Sequence, residues 1–199
     1  MRHALHHLRA HHAGVTIVEF GLIAPVFCLL LMGAMDLGHS LYMQSVLQGA
    51  LQKAARDSTL ESASEATRRQ LIDDDIEQQV LKLANNATVQ ITRTSFRDYA
   101  RAANRTKEPF TDTNGSGTCD AGEPYDDLNN SGSWDIDNGQ NNSGGAKDAV
   151  LLSANVSYPR LFPMAKLAGL PINVTMNAST LLVNQPYGEQ KAVTTRNCP

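Results

Sequence analysis

Residues 14–35 read GVTIVEFGLIAPVFCLLLMGAM, a stretch in which Glu19 carries the only charge. The run from Val15 to Met35 contains 21 residues, and about 20 apolar residues suffice for a helix to cross a bilayer. It therefore predicts a membrane-spanning helix over residues 15–35. A carboxylate inside such a helix is costly and indicates a function that supplies it with a partner.

The helix is predicted to continue beyond the membrane to about residue 58. Residues 36–59 contain no proline, and their apolar side chains keep helical spacing. The helix is expected to be continuous, and if it is kinked anywhere, the kink should be at Pro25, whose ring removes a backbone hydrogen bond. We expect the apolar stripe of this outer part to pack on the protein's own sheet. The stripe comprises Leu37, Leu41, Val46, Leu47, Ala50, Leu51, Ala54 and Ala55.

A second helix and three strands complete a predicted α+β fold. Ser62–Glu65 has the spacing of a helix capping box, and Asn85 follows the end of the amphipathic pattern. The apolar stripe of this helix comprises Ile72, Ile76, Val80 and Leu83. Alternating segments predict a three-stranded antiparallel sheet with its apolar face on the long helix. They contain Val89 and Ile91; Val150, Leu152, Ala154, Val156 and Tyr158; and Ile172, Val174, Met176 and Ala178.

Composition and charge limit the possible functions. The chain has 199 residues, 42% of them hydrophobic, which suits one modest domain beside the membrane helix. Clustered Lys and Arg are missing, so no nucleic-acid partner is expected. Beyond residue 14 the only histidine is His39, and no catalytic motif is present. Asp73–Asp75 point in different directions on a helix and predict a solvated surface. We therefore expect no enzyme and no catalytic residues.

The first 14 residues predict the orientation in the membrane. They contain two Arg, five His and no carboxylate, and positive flanks tend to remain cytoplasmic. Residues 1–14 are therefore interpreted as a leader peptide, and residues 60–199 as an extracytoplasmic domain. The alternative is a secretory signal peptide that is removed after the apolar run. The length of the run favours processing before the helix.

Residues 104–147 form a polar insertion rich in Asn, Asp, Gly and Ser. Loop 1, residues 112–123, matches all ligand positions of an EF-hand-type calcium loop, with Gly117 at the sixth position. Its candidate ligands are Asp112, Asn114, Ser116, Thr118, Asp120 and Glu123. Loop 2, residues 127–138, has Gly132 at the sixth position and Asn138 at the twelfth, where Asp137 could substitute. Its other candidate ligands are Asp127, Asn129, Ser131, Ser133 and Asp135.

The ligand types favour Ca²⁺, because an oxygen-rich set without sulfur suits a hard cation. Few carboxylates per loop predict weak affinity, with a Kd of about 10⁻⁴–10⁻³ M. Pro109 and Pro124 flank loop 1, so the pair is closer to thrombospondin-type or dockerin-type calcium loops than to a true EF-hand. The alternative is a solvated tether that binds no ion.

Cys119 and Cys198 would both lie outside the cytoplasm. A pair of cysteines in an oxidising compartment is a disulfide candidate. Two free thiols are the alternative, because the sequence alone does not bring the two ends together.

Several short segments carry a family resemblance. They are His12–Phe20, Val18–Pro25, Gly33–Gly38, Leu41–Tyr42, Leu47–Gln48 and Ala54–Arg56. Together they resemble the N-terminal pattern of the TadE-like pseudopilins of tight-adherence pili. A weaker resemblance lies near the C-terminus, in Val156–Pro159, Leu161–Pro163 and Met176–Pro186.

The resemblance implies that a prepilin-type peptidase cuts after Gly14, so that residues 1–14 are a class III signal peptide. Glu19 would then be the fifth mature residue and would compensate the new amino group of Val15 on its own or a neighbouring subunit. The implied protein is a structural minor pseudopilin of the bacterial inner membrane. Its partners would be other pilins and pseudopilins and the pilus assembly platform. The alternative is a permanently anchored calcium-binding envelope protein or adhesin outside any filament.

Overall fold

The computed structural model describes residues 15–59, 66–162, 166, 169 and 171–199. The predicted α+β class is confirmed. The helices are α1, Val15–Ser58; α2, Ala66–Leu81; and α3, Tyr99–Asn104. The strands are β1, Thr88–Phe96; β2, Pro124–Asp127; β3, Ala149–Pro159; β4, Asn173–Val183; and β5, Thr194–Asn197. The leader peptide and the capping box at 62–65 lie outside the described residues.

Helix α1 is a single helix of 44 residues that continues through Pro25, and its end at Ser58 agrees with the prediction. Its first part exposes large apolar side chains such as Phe20 and Leu22. Among the described residues, α1 is the one helix long and apolar enough to cross a membrane. By length and composition, α1 is therefore a candidate single-pass membrane anchor.

The outer part of α1 buries one face. Met43 and Leu47 are fully buried, and the buried series continues through Ala50 and other residues to Ala55. The prediction that Leu37 and Leu41 belong to this stripe is wrong, because they are 65% and 68% exposed. Counted back from Met43 in steps of three and four residues, the buried face passes through residues 40, 39 and 36, so Leu37 and Leu41 lie on another face of the helix. On this outer part, Gln44 Nε2 donates a hydrogen bond to the backbone oxygen of Asn177 in β4, at 3.3 Å.

Helix α2 buries the predicted residues Ile72, Ile76 and Val80, but it ends at Leu81, before the predicted end at Asn85. The adjacent carboxylates are less solvated than the sequence suggested. Asp73 accepts two hydrogen bonds from the guanidinium of Arg93 in β1. Asp75 accepts one from Lys53 Nζ of α1 at 2.9 Å. These contacts connect α2 with β1 and α1.

The main sheet has three antiparallel strands, as predicted. Their order is β1-β3-β4. In the β1–β3 pair, Thr88 faces Ser157 and Phe96 faces Ala149. Alternate residues of β3 are buried, which is the pattern of a sheet with one covered face. A second sheet was not predicted. It pairs β2 with β5 and so joins the polar insertion to the C-terminal tail.

The chain divides into two compact units. One contains the chain through Tyr42 together with Pro159–Val174. The other contains Met43–Tyr158 and Thr175–Pro199. Loop 1 and loop 2 both lie within the second unit.

Candidate metal centre

Loop 1 is organised by two carboxylate groups. Asp112, at the first position, accepts hydrogen bonds from the backbone N–H of Ser116 at 3.2 Å and of Gly117 at 2.8 Å. Asp120, at the ninth position, accepts from the hydroxyl of Ser116 at 2.5 Å and from Nδ2 of Asn114 at 2.8 Å. The polar side chains at the third, fifth and ninth positions are therefore in direct contact.

Loop 2 contains the same hydrogen bonds. Asp127 accepts from the backbone N–H of Ser131 at 2.9 Å and of Gly132 at 3.0 Å. Asp135 accepts from the hydroxyl of Ser131 at 2.7 Å and from Nδ2 of Asn129 at 2.9 Å. The repeated spacing in the sequence therefore corresponds to a repeated structure.

The backbone of the two loops turns in the same way. Gly117 and Gly132, at the sixth position, have φ values of 78° and 86°. Gly115 and Asn130, at the fourth position, have φ values of 75° and 57°. Left-handed backbone favours glycine and, among other residues, Asn. The residue types at these positions therefore suit the conformation that both loops adopt.

Glu123 closes loop 1 from the twelfth position. Its Oε1 accepts a hydrogen bond from the backbone N–H of Thr113 at 2.7 Å, and its Oε2 accepts one from the backbone N–H of Asp120 at 3.0 Å. The carboxylate thus bridges the second and ninth positions. It does so while Glu123 is only 4% exposed.

Glu108 closes loop 2 in the same way, although it lies four residues before loop 1. Its Oε1 accepts a hydrogen bond from the backbone N–H of Leu128 at 2.8 Å, and its Oε2 accepts one from that of Asp135 at 3.1 Å. Leu128 and Asp135 are the second and ninth positions of loop 2. Glu108 is fully buried. Loop 2 therefore has a closing carboxylate that comes from outside its own twelve residues.

Neither residue at the end of loop 2 takes this place. Asp137, which the sequence suggested as a substitute, is exposed and pairs with Nη1 of Arg105 at 3.1 Å. Asn138 is buried, and its Nδ2 donates to the backbone oxygen of Thr106 at 2.8 Å. The residue that closes loop 2 is Glu108, and a search confined to twelve-residue windows does not include it.

A fifteen-residue repeat explains the arrangement. Residues 108–122 read EPFTDTNGSGTCDAG, and residues 123–137 read EPYDDLNNSGSWDID. The two copies pair antiparallel at Phe110 and Tyr125, with flanking backbone hydrogen bonds of 2.8 and 3.0 Å. The Glu that begins each copy closes the loop of the other copy. The Glu-Pro-aromatic start of both copies was the signal in the sequence that could have identified Glu108.

Environment shifts the pKa of the two closing carboxyl groups in opposite directions. Backbone N–H groups, led by that of Asp120, lower the pKa of Glu123. Burial raises the pKa of Glu108, although this carboxylate also accepts backbone hydrogen bonds. In loop 1, the pKa of Asp112 is lowered as well, chiefly by the N–H of Gly117. The carboxyl groups of Asp112 and Glu123 in loop 1 therefore ionise at lower pH than that of Glu108, which closes loop 2.

The eighth position anchors each loop. In loop 1, Cys119 forms a disulfide with Cys198, with a Cα–Cα distance of 5.8 Å. In loop 2, Trp134 Nε1 donates to the backbone oxygen of Glu108 at 3.0 Å, and its ring packs edge-on against Phe110 with centroids 5.6 Å apart. Trp134 is the only tryptophan of the chain. Its fluorescence is therefore specific to loop 2.

The available ligands would favour a weakly held hard cation. Within the described part of the chain, no three His, Cys, Asp or Glu side chains form a metal-binding group. Neutral oxygens would therefore supply much of the coordination. The candidates are Asn114, Ser116, Thr118, Asn129, Ser131 and Ser133. Nε of Arg196 lies 2.6 Å from Oδ2 of Asp127, which reduces the negative charge of loop 2. Low charge and neutral oxygen ligands are typical of weak Ca²⁺ sites.

The predicted processing site is at the other end of the chain. Gly14 lies outside the described residues, and Val15 is the first residue of α1. Glu19 follows one turn later and is exposed. The processing residues and the two loops therefore belong to separate parts of the sequence.

Comparison with known proteins identifies the N-terminal part. No curated protein and no solved structure matches this chain. One family model, described as TadE-like protein, matches residues 14–56; it confirms the N-terminal resemblance, whereas the resemblance near the C-terminus lies beyond the match and stays a prediction.

Proposed function

We propose that this chain is a minor pseudopilin, a structural component of a tight-adherence pilus that a prepilin-type peptidase processes after Gly14. The observation that carries the proposal is the TadE-like match over residues 14–56, which coincides with α1, Val15–Ser58. The matched segment therefore contains both the membrane anchor and its helical continuation. In this role the N-terminus is cytoplasmic and the domain after α1 is extracytoplasmic.

Glu19 supports the assembly role. It is exposed on α1 among exposed apolar side chains, and a carboxylate within a bilayer costs about 2.5–3.5 kcal/mol on insertion scales. A neighbouring subunit's new Val15 amino group would be a cation at the matching depth. The pairing would offset the cost and fix the register between adjacent helices.

Mass spectrometry of the mature N-terminus tests the processing step. We expect the protein from membranes to begin at Val15. Gly14→Leu should leave the full-length form in the membrane. Gly14→Ala keeps a small residue and should be processed to a greater extent than Gly14→Leu. A wild-type protein that begins near Met1, or after residue 35, would contradict the proposal and favour a permanently anchored or secreted protein.

We further propose that loop 1 and loop 2 each bind one Ca²⁺ ion. Support comes from the matching hydrogen bonds of the two loops and from the two closing carboxylates, Glu123 and Glu108. Asp112 and Asp127 would supply the first ligand position and Asp120 and Asp135 the ninth. An ion at each loop would order the insertion by binding the folded state alone.

Titration of the full chain in detergent micelles tests the calcium proposal. We expect binding heat for two ions at millimolar Ca²⁺, and a change in Trp134 fluorescence from loop 2. Asp112→Asn should weaken binding at loop 1 and leave the Trp134 response, whereas Asp127→Asn should weaken that response. Unchanged heat, fluorescence and melting temperature between calcium and chelator would show that the insertion is a tether.

A further inference from the structure

The loop that connects β3 and β4 is strongly apolar. Residues 160–172 read RLFPMAKLAGLPI, and Lys166 is the only charged residue after Arg160. The structure describes both ends of this loop, where Leu161 and Ile172 are 51% and 57% exposed. Single exposed apolar residues are ordinary, but a contiguous group indicates an interaction surface.

Arg160 fixes this loop beside α1. Its backbone N–H donates to the oxygen of Ile172 at 2.9 Å, and its Nε donates to the oxygen of Pro171 at 3.0 Å, so the two ends of the loop meet. Its Nη1 donates to Oδ2 of Asp36 on α1, and both side chains of this ion pair are mostly buried. These contacts therefore hold the two ends of the loop beside Asp36.

Asp36 marks the outer end of the membrane span. It is the first charged residue after the apolar run 15–35, whose 21 residues extend about 31 Å as a helix. The hydrocarbon core of a bilayer is about 30 Å thick. Asp36 thus lies where the hydrocarbon core meets the headgroups. Pro159–Val174 also forms a compact unit with the N-terminal part of the chain, through Tyr42.

We infer that Leu161 and Ile172, the described apolar ends of this loop, insert into the outer leaflet of the membrane at the headgroup boundary. The occupant of their apolar surface is the lipid bilayer, because the loop is tied to the residue at which the anchor leaves that bilayer. Lys166 is suited to the headgroups, where a lysine can bury its stem and keep its ammonium group solvated. The inference rests on the membrane anchor and on the proposed orientation, in which the N-terminus is cytoplasmic; it does not depend on calcium binding or on incorporation into a pilus.

Environment-sensitive fluorophores on single cysteines test this inference in the full chain, reconstituted in phospholipid vesicles. Cys28→Ala removes the free thiol, and Cys119 is disulfide-bonded. We expect Leu161→Cys and Ile172→Cys labels to emit at shorter wavelength than in water. Lipids that carry a nitroxide near the headgroup should quench them. A label at the exposed Asn141→Cys should show neither effect.

Asp36→Asn should weaken the anchor of the loop and reduce quenching at position 161, with no change at position 141. Emission at 161 and 172 equal to that at 141 would overturn the inference. A shorter emission wavelength without quenching by the labelled lipid would also overturn it, because a protein surface, such as a second copy of the chain, would then cover the loop. Trp134 fluorescence should stay the same in all variants, which shows that the labelled proteins are folded.

Discussion

Glu108 and Glu123 make the same pair of backbone hydrogen bonds, but pH affects their contributions to stability with opposite sign. The pKa of Glu123 is lowered in the folded state, so its contribution is present above the ordinary pKa of Glu, about 4.3, and is lost as pH falls through the lowered value. The pKa of Glu108 is raised, so its contribution is present below the ordinary pKa and is lost as pH rises through the raised value.

This difference predicts unequal effects of neutral substitutions without calcium. At pH 7 in chelator, Glu123→Gln should lower the thermal midpoint, because it removes an ionised acceptor that the fold stabilises. Glu108→Gln should lower it less, because burial already disfavours the charge. Melting of the full chain in micelles, followed by circular dichroism, measures both, with Asp74→Asn on exposed α2 surface as control. A larger loss in Glu108→Gln would contradict the assignment.

With calcium present, the same residue should control the second ion. Glu108→Gln should reduce the number of bound Ca²⁺ from two to one, or raise the second Kd by about tenfold or more, as expected when about 1.5–3 kcal/mol of charged interaction is lost. The matched control is Asp137→Asn, which removes the carboxylate that the sequence suggested. Calorimetry and Trp134 fluorescence measure the effects of both variants. An effect of Asp137→Asn alone would show that Asp137, rather than Glu108, supplies the closing carboxylate of loop 2.

Among the elements, β5 depends most on a covalent bond. Its four residues are exposed, and it pairs only with β2 in the described structure. The Cys119–Cys198 disulfide joins residues 79 positions apart in the sequence. Disulfides typically contribute about 2–4 kcal/mol of stability.

Cys198→Ser should therefore lower the free energy of unfolding by about 2–4 kcal/mol, and reductant should have no further effect on the variant. Urea unfolding of the full chain in micelles, with and without reductant, measures the change. Cys28→Ala, which removes a thiol outside the disulfide, is the control. Equal stability of Cys198→Ser and wild type would show that pairing with β2 holds the tail without the bond.

Periodic apolar patterns made α1, α2 and the three strands of the main sheet predictable, because burial of one face imposes those periods on the sequence. The β2–β5 sheet could not be predicted in this way. The residues of β5, Thr194–Asn197, are polar and exposed. Neither face of this strand is buried, so the sequence has no alternation of apolar and polar residues there. The pairing depends on the disulfide and on backbone hydrogen bonds, such as Cys198 N–H to Glu123 oxygen at 2.8 Å.

The candidate centre was predictable only in part, for a related reason. Positions within one loop are set by local turns, so Asp112 and Asp127 could be read from spacing alone. Glu108 reaches loop 2 through the pairing of two copies, which is a tertiary contact. A twelve-residue pattern cannot contain it, whereas comparison of the two copies with each other can.

At the scale of the whole molecule, α1 joins the membrane anchor to the folded domain without a break. Under the proposed function, Glu19→Ala should insert normally, because the substitution lowers the cost of insertion, but it should impair assembly by removing the partner of the Val15 amine. Membrane fractionation measures insertion, and electron microscopy of cells measures piliation. Phe20→Ala, at the next exposed position, is the control, and normal piliation by Glu19→Ala would show the carboxylate to be dispensable.

The exchange of closing carboxylates between the two copies also limits how the insertion can evolve. Tandem copies are prone to contraction and expansion during replication. Contraction to one copy would delete a loop together with the carboxylate that closes the survivor. We therefore expect homologous insertions that retain this architecture to keep the two copies together.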